Sequence, residues 1–492
     1  MNKNLLFSYL AGTVLGMAAV LPGAAQHTAQ APAEAAVGDA ARITVRLDRI
    51  SERTVSDRLL GFNIVYAKNP DSLWRSGVLE KAIRDVRPGF LRYPGGTVNT
   101  YFHWEHPTGN GWEDLWDPQY DTARNRPPEE FMDIDEYMAL VRRTGAEPLL
   151  GINVNSGFRW NRVEEGVQEA LRLMKYCRDK GFKVKYWFMG NEPYMHDCNG
   201  GAVTPARYGE MINAFVPRMK EFDPDIKIIA NWHATFRKHG RQYDELFAVA
   251  GRNIDIIDVH WYCMWGTASW NEWLAKTPCG VFLGDSYASE IERFREIAAR
   301  NGVPHVQLAS LEWNVGPGKK SAGPRLTPDQ SALIQAEMMM QFMQGGLDMA
   351  TFWPLFWDSE FGFRSFFDKK TGKLQPTSEI MKIFGTFQGN ELIEYTASPA
   401  PEKIPSLAVR DAATGKMALC LLNKNDFTVE AAVGGRLAAR KKRVEVEQFR
   451  MSADRMSLEH APVCKAKAGS VSLAPFCLLY TSPSPRDMRR SR

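Results

Sequence analysis

The chain predicts an α/β fold: a closed (β/α)8 barrel followed by an antiparallel β-sandwich. Three observations point there. Between Leu60 and Pro354, eight short apolar runs alternate with amphipathic segments of helical period. From Glu391 onward, short alternating runs follow one another with no helical segment between them. Eight strands is the closure number of a parallel barrel, whereas a doubly wound nucleotide-binding sheet would need a GxGxxG after the first strand, and none is there.

Each element has its own warrant. Residues 42–47 alternate, with Ile43, Val45 and Leu47 on one face, and read as a strand that precedes the barrel and can join the sandwich. Barrel strands are expected at 60–66, 90–93, 148–154, 184–189, 226–232, 254–262, 306–312 and 350–354. These runs are apolar nearly throughout, as suits strands covered on both faces. Pro94-Gly95-Gly96 stops the second, and Pro193, lacking an N–H, stops the fourth. Helices are expected at 78–86, 131–144 (Asp133 available as a cap), 163–180, 205–222, 243–250, 287–301, 329–344 and 379–387. The methionines of 329–344 read as packing. Sandwich strands are expected at 407–410, 417–422, 428–433, 444–449 and 470–479. The resulting organisation is an export signal (1–26), a linker (27–41), an N-terminal strand (42–58), the barrel (59–390), the sandwich (391–480) and a disordered or foreign tail (481–492).

Composition narrows the function. A chain of 492 residues, 44% hydrophobic and 24% charged, is ordinary globular protein. The start carries Lys3, an apolar run from Leu5 to Leu21, and small residues at Gly23-Ala24-Ala25, the pattern of an export signal. That run is short of the ~20 residues a spanning helix needs, so the mature protein is expected in the periplasm or outside the cell without stable membrane insertion. The net charge of +4 sits at the two ends, +1 on Lys3 and +3 on the tail, where Asp487 offsets one of Arg486, Arg489, Arg490 and Arg492. A near-neutral body argues against nucleic acid as a partner. The seven cysteines are odd in number and lack CxxC spacing, which gives neither a zinc pattern nor a full disulfide framework. Cys198 or Cys279 can pair in an exported protein, while Cys177 and Cys420 read as core. With no HExxH and no dense Asp/His cluster, neither metal nor cofactor is expected. The segment 315–321 lacks P-loop spacing and reads as a mobile loop, and Arg440-Lys441-Lys442-Arg443 reads as a solvated hairpin.

Two of the expected strands end on a carboxylate. One run closes as Met189-Gly190-Asn191-Glu192-Pro193, the other as Ser310-Leu311-Glu312-Trp313-Asn314. In an eight-stranded barrel, the C-terminal ends of strands four and seven face each other across the mouth. Two carboxyls ~5–5.5 Å apart are what glycoside hydrolysis with retention requires. The acid must be kept protonated by burial or by a negative neighbour, and the nucleophile kept ionised by donors. Asn191 can donate to a sugar hydroxyl, Tyr262 to Glu312, and His260 can orient Glu192 or a hydroxyl. Arg92 can hold Glu312 ionised. Trp160, Trp232, Trp261, Trp265, Trp270, Trp273, Trp313, Trp353 and Trp357 fall at or after strand ends, where indole faces stack on sugars, though part of them belong to ordinary packing. The expected substrate-binding set is Asn191, Arg92, His260, Tyr262, Trp313, Trp353, Asn63 and Trp232.

Arg92-Tyr93-Pro94-Gly95-Gly96, Gly190-Asn191-Glu192 and Glu312-Trp313-Asn314, in this order, resemble the clan A glycoside hydrolases, most of all the α-L-arabinofuranosidases of family 51. The likeness runs from about Ala41 to Glu391. It implies a (β/α)8 TIM barrel with a β-sandwich built from both chain ends, and a retaining enzyme of plant polysaccharides or oligosaccharides. It further implies Glu192 as acid/base and Glu312 as nucleophile. Where that family carries a sugar-binding Glu after the first strand, this chain reads Phe62-Asn63-Ile64; Thr97 replaces an Asn, and Pro193 is more typical of other clan A families. Another clan A specificity (β-xylosidase, agarase or heparanase-like β-glucuronidase) and a non-catalytic carbohydrate-binding barrel are the alternatives.

Overall fold

The computed structural model describes residues 41–481 except 67–70, 107–112, 125–130, 196–201, 267, 276–279, 281–285, 318–324, 357–361, 438–442 and 468. The expected export signal, linker and tail thus lie outside the described residues, apart from a residue at each junction. So do Cys198, Cys279, Trp357, most of 315–321 and most of the basic hairpin.

After a long first strand, β1 (Ala41–Thr54), eight parallel strands close a barrel. They are β2 (Gly61–Asn63), β3 (Phe90–Tyr93), β4 (Glu147–Ile152), β5 (Tyr186–Met189), β6 (Lys227–Asn231), β7 (Ile256–Cys263), β8 (Gln307–Val315) and β9 (Met349–Phe352). Strand β9 returns to β2 through Phe62 and Phe352. Inward side chains fill the barrel: Phe90, Leu149, Tyr186, Phe188, Ile229, Ile256, Ala309, Leu311 and Met349 form one apolar plug. Strand period then decides what stands above it. Arg92 is two residues beyond Phe90, so it rises toward the mouth, its guanidinium 4.3 Å from the centre of the Phe188 ring.

The helices follow their sequence signals. Ile134–Thr144 is capped by Asp133, which exchanges bonds with Glu136 in a capping box. Pro205–Phe222 starts on Thr204 with proline in its first turn. Phe236–Ala250 begins seven residues before the expected 243, because its first half is basic and half-exposed and lacks an apolar signal. Pro328–Gly345 is buried on nearly every side, with Met338, Met339, Met340 and Met343 at 1% exposure or less, so these methionines are core.

Beyond a small ladder of β10 (Phe367–Asp368) and β11 (Lys373–Leu374), the strands β12 (Glu391–Ser398), β13 (Ser406–Arg410), β14 (Met417–Asn423), β15 (Val429–Gly434), β16 (Arg443–Met451), β17 (Leu458–Lys467), β18 (Ser470–Leu473) and β19 (Cys477–Thr481) follow. With β1 they make a nine-stranded sheet in the order β17-β16-β19-β14-β13-β12-β1-β15-β18, antiparallel at every pair except β1–β15. Ile43, Val45 and Leu47 of β1 enter its apolar core, as their alternation requires. Gln448 of β16 donates to the Ser472 carbonyl of β18 at 2.7 Å, joining strands far apart in that order. The sandwich is therefore one sheet curled so that its halves face each other. The run 470–479 is split by a turn at Phe476, which has φ 45°. Strand β17 lacks a clean alternation and was not legible.

The segment after β3 is tied down by a buried histidine. One face of the His103 ring meets Trp116 (centroids 4.6 Å apart). Its Nδ1 lies 2.9 Å from Glu169 and its Nε2 3.0 Å from Asp114, which also accepts from Ser156 and Trp160. Burial opposes a charge on His103, but hydrogen bonds to Asp114 and Glu169 outweigh it and raise the pKa to about 9. Such a raised group contributes stability fully below its unfolded value of ~6.5 and loses it as pH climbs through the folded value. The melting temperature is expected to fall by a few degrees between roughly pH 6.5 and 9, and His103→Gln to flatten part of that slope in a thermal-shift titration. An unchanged slope would contradict the charged bridge.

Candidate active site

Strands β5, β7 and β8 deliver their polar groups to the same end of the barrel, above the plug. Along β7 the period of two places Asp258, His260 and Tyr262 on one face. Strand β8 does not end at Glu312, as expected, but continues to Val315. It carries one extra residue relative to both neighbours: Asp258 and His260 pair with Ala309 and Glu312, and Ser310 and Trp313 pair with Ala350 and Phe352. This bulge changes the parity of the strand, so Glu312 turns to the mouth although Leu311, just before it, belongs to the plug.

A bulge leaves backbone groups without ladder partners, and side chains supply them. The Leu311 N–H donates to Asp258 Oδ1 at 2.7 Å. The Leu311 carbonyl accepts from Asn63 Nδ2 at 2.8 Å and from Thr351. Asn63 also donates to Phe352 O and accepts from Arg92 through Oδ1. Asn63 is fully buried and its amide donors are engaged inside the barrel wall, so the expectation that Asn63 binds substrate is corrected: it caps the bulge and positions Arg92.

Glu192 is delivered differently. After Gly190 (φ 76°) the chain enters a left-handed conformation at Glu192 itself, φ 44°, which a residue with a Cβ adopts only under constraint. The constraint is the Glu192 N–H, held by Asn231 Oδ1 at 2.8 Å, with Asn231 in turn donating to Asp258 Oδ2 at 2.8 Å.

His260 joins the two carboxylates. Its Nδ1 lies 2.9 Å from Glu192 Oε1 and 3.4 Å from Glu312 Oε2. Its Nε2 meets Asp258 Oδ2 at 3.2 Å. Both ring nitrogens therefore face carboxylates, which accept only, and the ring satisfies them as an imidazolium. Burial works against that charge; Glu312, Asp258 and Glu192 outweigh it and raise the pKa to about 10. One atom within reach of both glutamates limits those two oxygens to a separation of at most 6.3 Å, which leaves room for the ~5–5.5 Å spacing of a retaining pair.

The other partners differ. Glu312 accepts from Arg92 Nη1 at 2.9 Å and Tyr262 Oη at 2.8 Å. Glu192 accepts from Tyr194 Oη at 3.1 Å. The Glu192 side chain keeps 21% of its surface in solvent, that of Glu312 only 6%. Burial pushes the Glu312 carboxyl above its ordinary range, against the His260 and Arg92 cations. Burial acts on Glu192 too, but His260 and Tyr194 hold it below that range. This is the reverse of the sequence expectation of a protonated Glu192: the His260 cation acts on both carboxyls, but Glu192 also keeps hydrogen bonds to His260 and Tyr194, whereas Glu312 meets the negative charge of Glu192. The two carboxyls and the imidazole titrate as one unit, with the proton resting on His260.

Residues 82–270 match the family model described as an alpha-L-arabinofuranosidase 1 domain. The chain is similar to α-L-arabinofuranosidases. Among curated relatives, a probable alpha-L-arabinofuranosidase C of Aspergillus clavatus is 23% identical over 54% of this chain and 54% of its own length. An intracellular exo-alpha-(1->5)-L-arabinofuranosidase of Streptomyces lividans is 28% identical over 49% of this chain and 37% of its own length. The chain thus spans about half or less of the relatives it matches. The arabinose complex of the Thermotoga maritima α-L-arabinofuranosidase superposes with a TM-score of 0.64 at 19% identity, covering 89% of this chain and 99% of that one, a likeness of fold.

Of the residues expected at an arabinofuranosidase-like site, Arg92, Asn191, Glu192, His260, Tyr262 and Glu312 form one group joined by hydrogen bonds and by the His260–Glu312 ion pair, Arg92 Nη2 donating to Asn191 Oδ1 at 2.7 Å. Trp232 and Trp313 are elsewhere. Both are exposed by only 1%; Trp232 stacks on Tyr208, and Trp313 packs edge-on to Phe342 and Phe352. The substrate-binding expectation for these two is corrected to packing: outward positions on β8 and after β6 face the surrounding helices. Trp353 is half-buried, and its ring covers Gly96, where a Cβ would lie 2.5 Å from it. The sequence did not single out Asp258, Asn231 or Tyr194. A signal existed for Asp258: a carboxylate inside an apolar strand, two residues before His260, demands partners.

Asp258 therefore merits its own variant. Asp258→Ala strands the Leu311 N–H, frees Asn231 and leaves His260 Nε2 unheld. Stability is expected to drop by about 3 kcal/mol in denaturant unfolding, and kcat/KM by roughly 10²-fold. A variant with wild-type kinetics would contradict the role given to this network.

Proposed function

We propose that the chain is a retaining glycoside hydrolase of α-L-arabinofuranosidase type, acting on plant polysaccharide or oligosaccharide, with Glu192 as acid/base and Glu312 as nucleophile. The observation that carries this is the approach of both carboxylates to His260 Nδ1. A sugar seated at the mouth removes the remaining water from Glu192 and raises its proton affinity, so the proton passes from His260 Nδ1 to Glu192 Oε1. Glu312 attacks the anomeric carbon, the glycosidic C–O bond breaks, and Glu192 protonates the departing oxygen. Water, deprotonated by Glu192, then releases the sugar from Glu312. Arg92 and Tyr262 supply the donors that keep Glu312 ionised against its burial. Asn191 Nδ2 is buried and has no hydrogen-bond partner among the described residues, which suits a donor reserved for a sugar hydroxyl.

One observation favours a different sugar within the same chemistry: the end of β2 presents Asn63, which is buried in the barrel wall, where family 51 places a carboxylate. Aryl glycosides of arabinofuranose, xylose, galactose and glucuronic acid separate the readings. Preferred turnover of the arabinofuranoside supports the first, of another sugar the second, and turnover of none refutes both. Export, read from residues 1–26, is part of the proposal, although relatives include enzymes named as intracellular. No helix among the described residues is long and apolar enough to cross a membrane. Amino-terminal sequencing of the mature protein from fractionated cells tests it.

A further inference from the structure

A column of rings stands beside Glu192. Tyr194 lies face to face with His233, centroids 4.0 Å apart at 28°. His233 in turn lies over His239, 3.9 Å apart at 11°. The rings come from the turn after β5, the segment just after β6, and the first turns of the helix Phe236–Ala250. Trp232 packs against Tyr194 from another direction, 5.8 Å away at 77°. The far end of the column is tied to its own helix, since His239 Nδ1 lies 2.9 Å from the Thr235 hydroxyl.

The near end of the column touches the chemistry. Tyr194 Oη donates to Glu192 Oε1 at 3.1 Å, from only two residues further along the chain. The turn between them is closed by the Met195 N–H on the Glu192 carbonyl at 2.8 Å. A bond across so short a loop does not by itself hold a phenol that can turn about χ1 and χ2, so the ring needs packing to stay on target. His233 supplies that packing. It sits on the same segment as Asn231, which accepts the Glu192 N–H at 2.8 Å, so one stretch of chain fixes both the backbone and the hydroxyl partner of Glu192.

The rings stack as neutral groups. Burial pushes His233 down to about 4, helped by His239 and Lys238 and opposed by Glu192. Burial, with the charges of Glu192 and Glu312, keeps the Tyr194 phenol protonated and able to donate. The charges around the column are thus Glu192 and Glu312 at the Tyr194 end and Lys238 at the His239 end, with the neutral Tyr243 phenol nearby. We propose that His233 is a positioning residue for the acid/base: it holds the Tyr194 hydroxyl on Glu192 and so sets how readily Glu192 gives up a proton. This rests on the glycosidase reading above, which makes Glu192 the acid/base. A donor on a carboxylate favours its ionised form. Releasing the phenol therefore makes Glu192 more basic, and the unit of Glu192, His260 and Glu312 keeps its proton to higher pH.

The test compares His233→Ala, His233→Phe and Tyr194→Phe with the unsubstituted protein by two readouts. NMR of protein labelled at the histidine ring carbons follows the His260 titration, assigned by the signal missing from His260→Gln, and needs no substrate. The basic limb of kcat/KM on an aryl glycoside follows the same proton during turnover. His233→Ala and Tyr194→Phe are each expected to move both upward by about half a pH unit. His233→Phe, which restores a flat ring without the nitrogens, should recover most of the shift, and His233→Ala should add nothing in a Tyr194→Phe background. An unmoved His260 titration in His233→Ala would overturn the proposal. So would a His233→Phe as impaired as His233→Ala, or full additivity with Tyr194→Phe. A moved titration in a protein that cleaves no glycoside would uphold the hold on Glu192 and count against the glycosidase reading alone.

Discussion

Glu312→Gln is expected to lower turnover of every glycoside at least ~10⁴-fold, since an amide can neither attack the anomeric carbon nor leave from it. The substitution keeps the size of the side chain and its bond to Tyr262. It takes the negative charge away from Arg92 and His260, both buried. Leaving buried cations with less compensation costs roughly 3 kcal/mol or more, so a lower melting temperature with an unchanged circular dichroism spectrum should accompany the kinetic loss. Steady-state rates on an activated aryl glycoside check this, because such substrates need no acid and isolate the nucleophile. Substantial activity in the variant would remove Glu312 from the role.

Glu192→Ala should show the complementary pattern. A leaving group that departs as a stable phenolate needs no proton, so formation of the glycosyl-enzyme on a dinitrophenyl glycoside should change little. Alkyl glycosides and oligosaccharides need the proton, and for these kcat/KM should fall by about 10³-fold. The return of water also loses its base, so the activated substrate should give a fast burst followed by slow steady state. Equal slowing across leaving groups would mean that Glu192 does not deliver the proton. The variant frees His260 Nδ1 to approach Glu312, now its nearest carboxylate.

What the sequence allowed and what it hid follow from range. Strand period and the C-terminal strand ends were local signals, so the barrel, Glu192 beside Asn191, and Glu312 beside Trp313 were legible. The alternation of Ile43, Val45 and Leu47 marked β1 as a strand that could join the sandwich; its partners β12 and β15 are known only from the fold. The bulge in β8 was not, because an extra residue is defined only against the neighbouring strands. With it went the functions of Asn63 and Asp258, which exist to satisfy that bulge. Trp232 and Trp313 were misplaced for a related reason: a position at a strand end does not say which way the indole points. The proton distribution was also out of reach, since it depends on the burial and mutual charges of His260, Glu192, Glu312, Asp258 and Arg92, which come together only in the folded barrel.

The central claim is that Glu192 and Glu312 work as a close pair on one anomeric carbon, through a covalent sugar on Glu312. Proton NMR of the first sugar released, followed before mutarotation, tests it most directly. The account predicts a product with the anomeric configuration of the substrate. An inverted product, formed by direct attack of water, would contradict it.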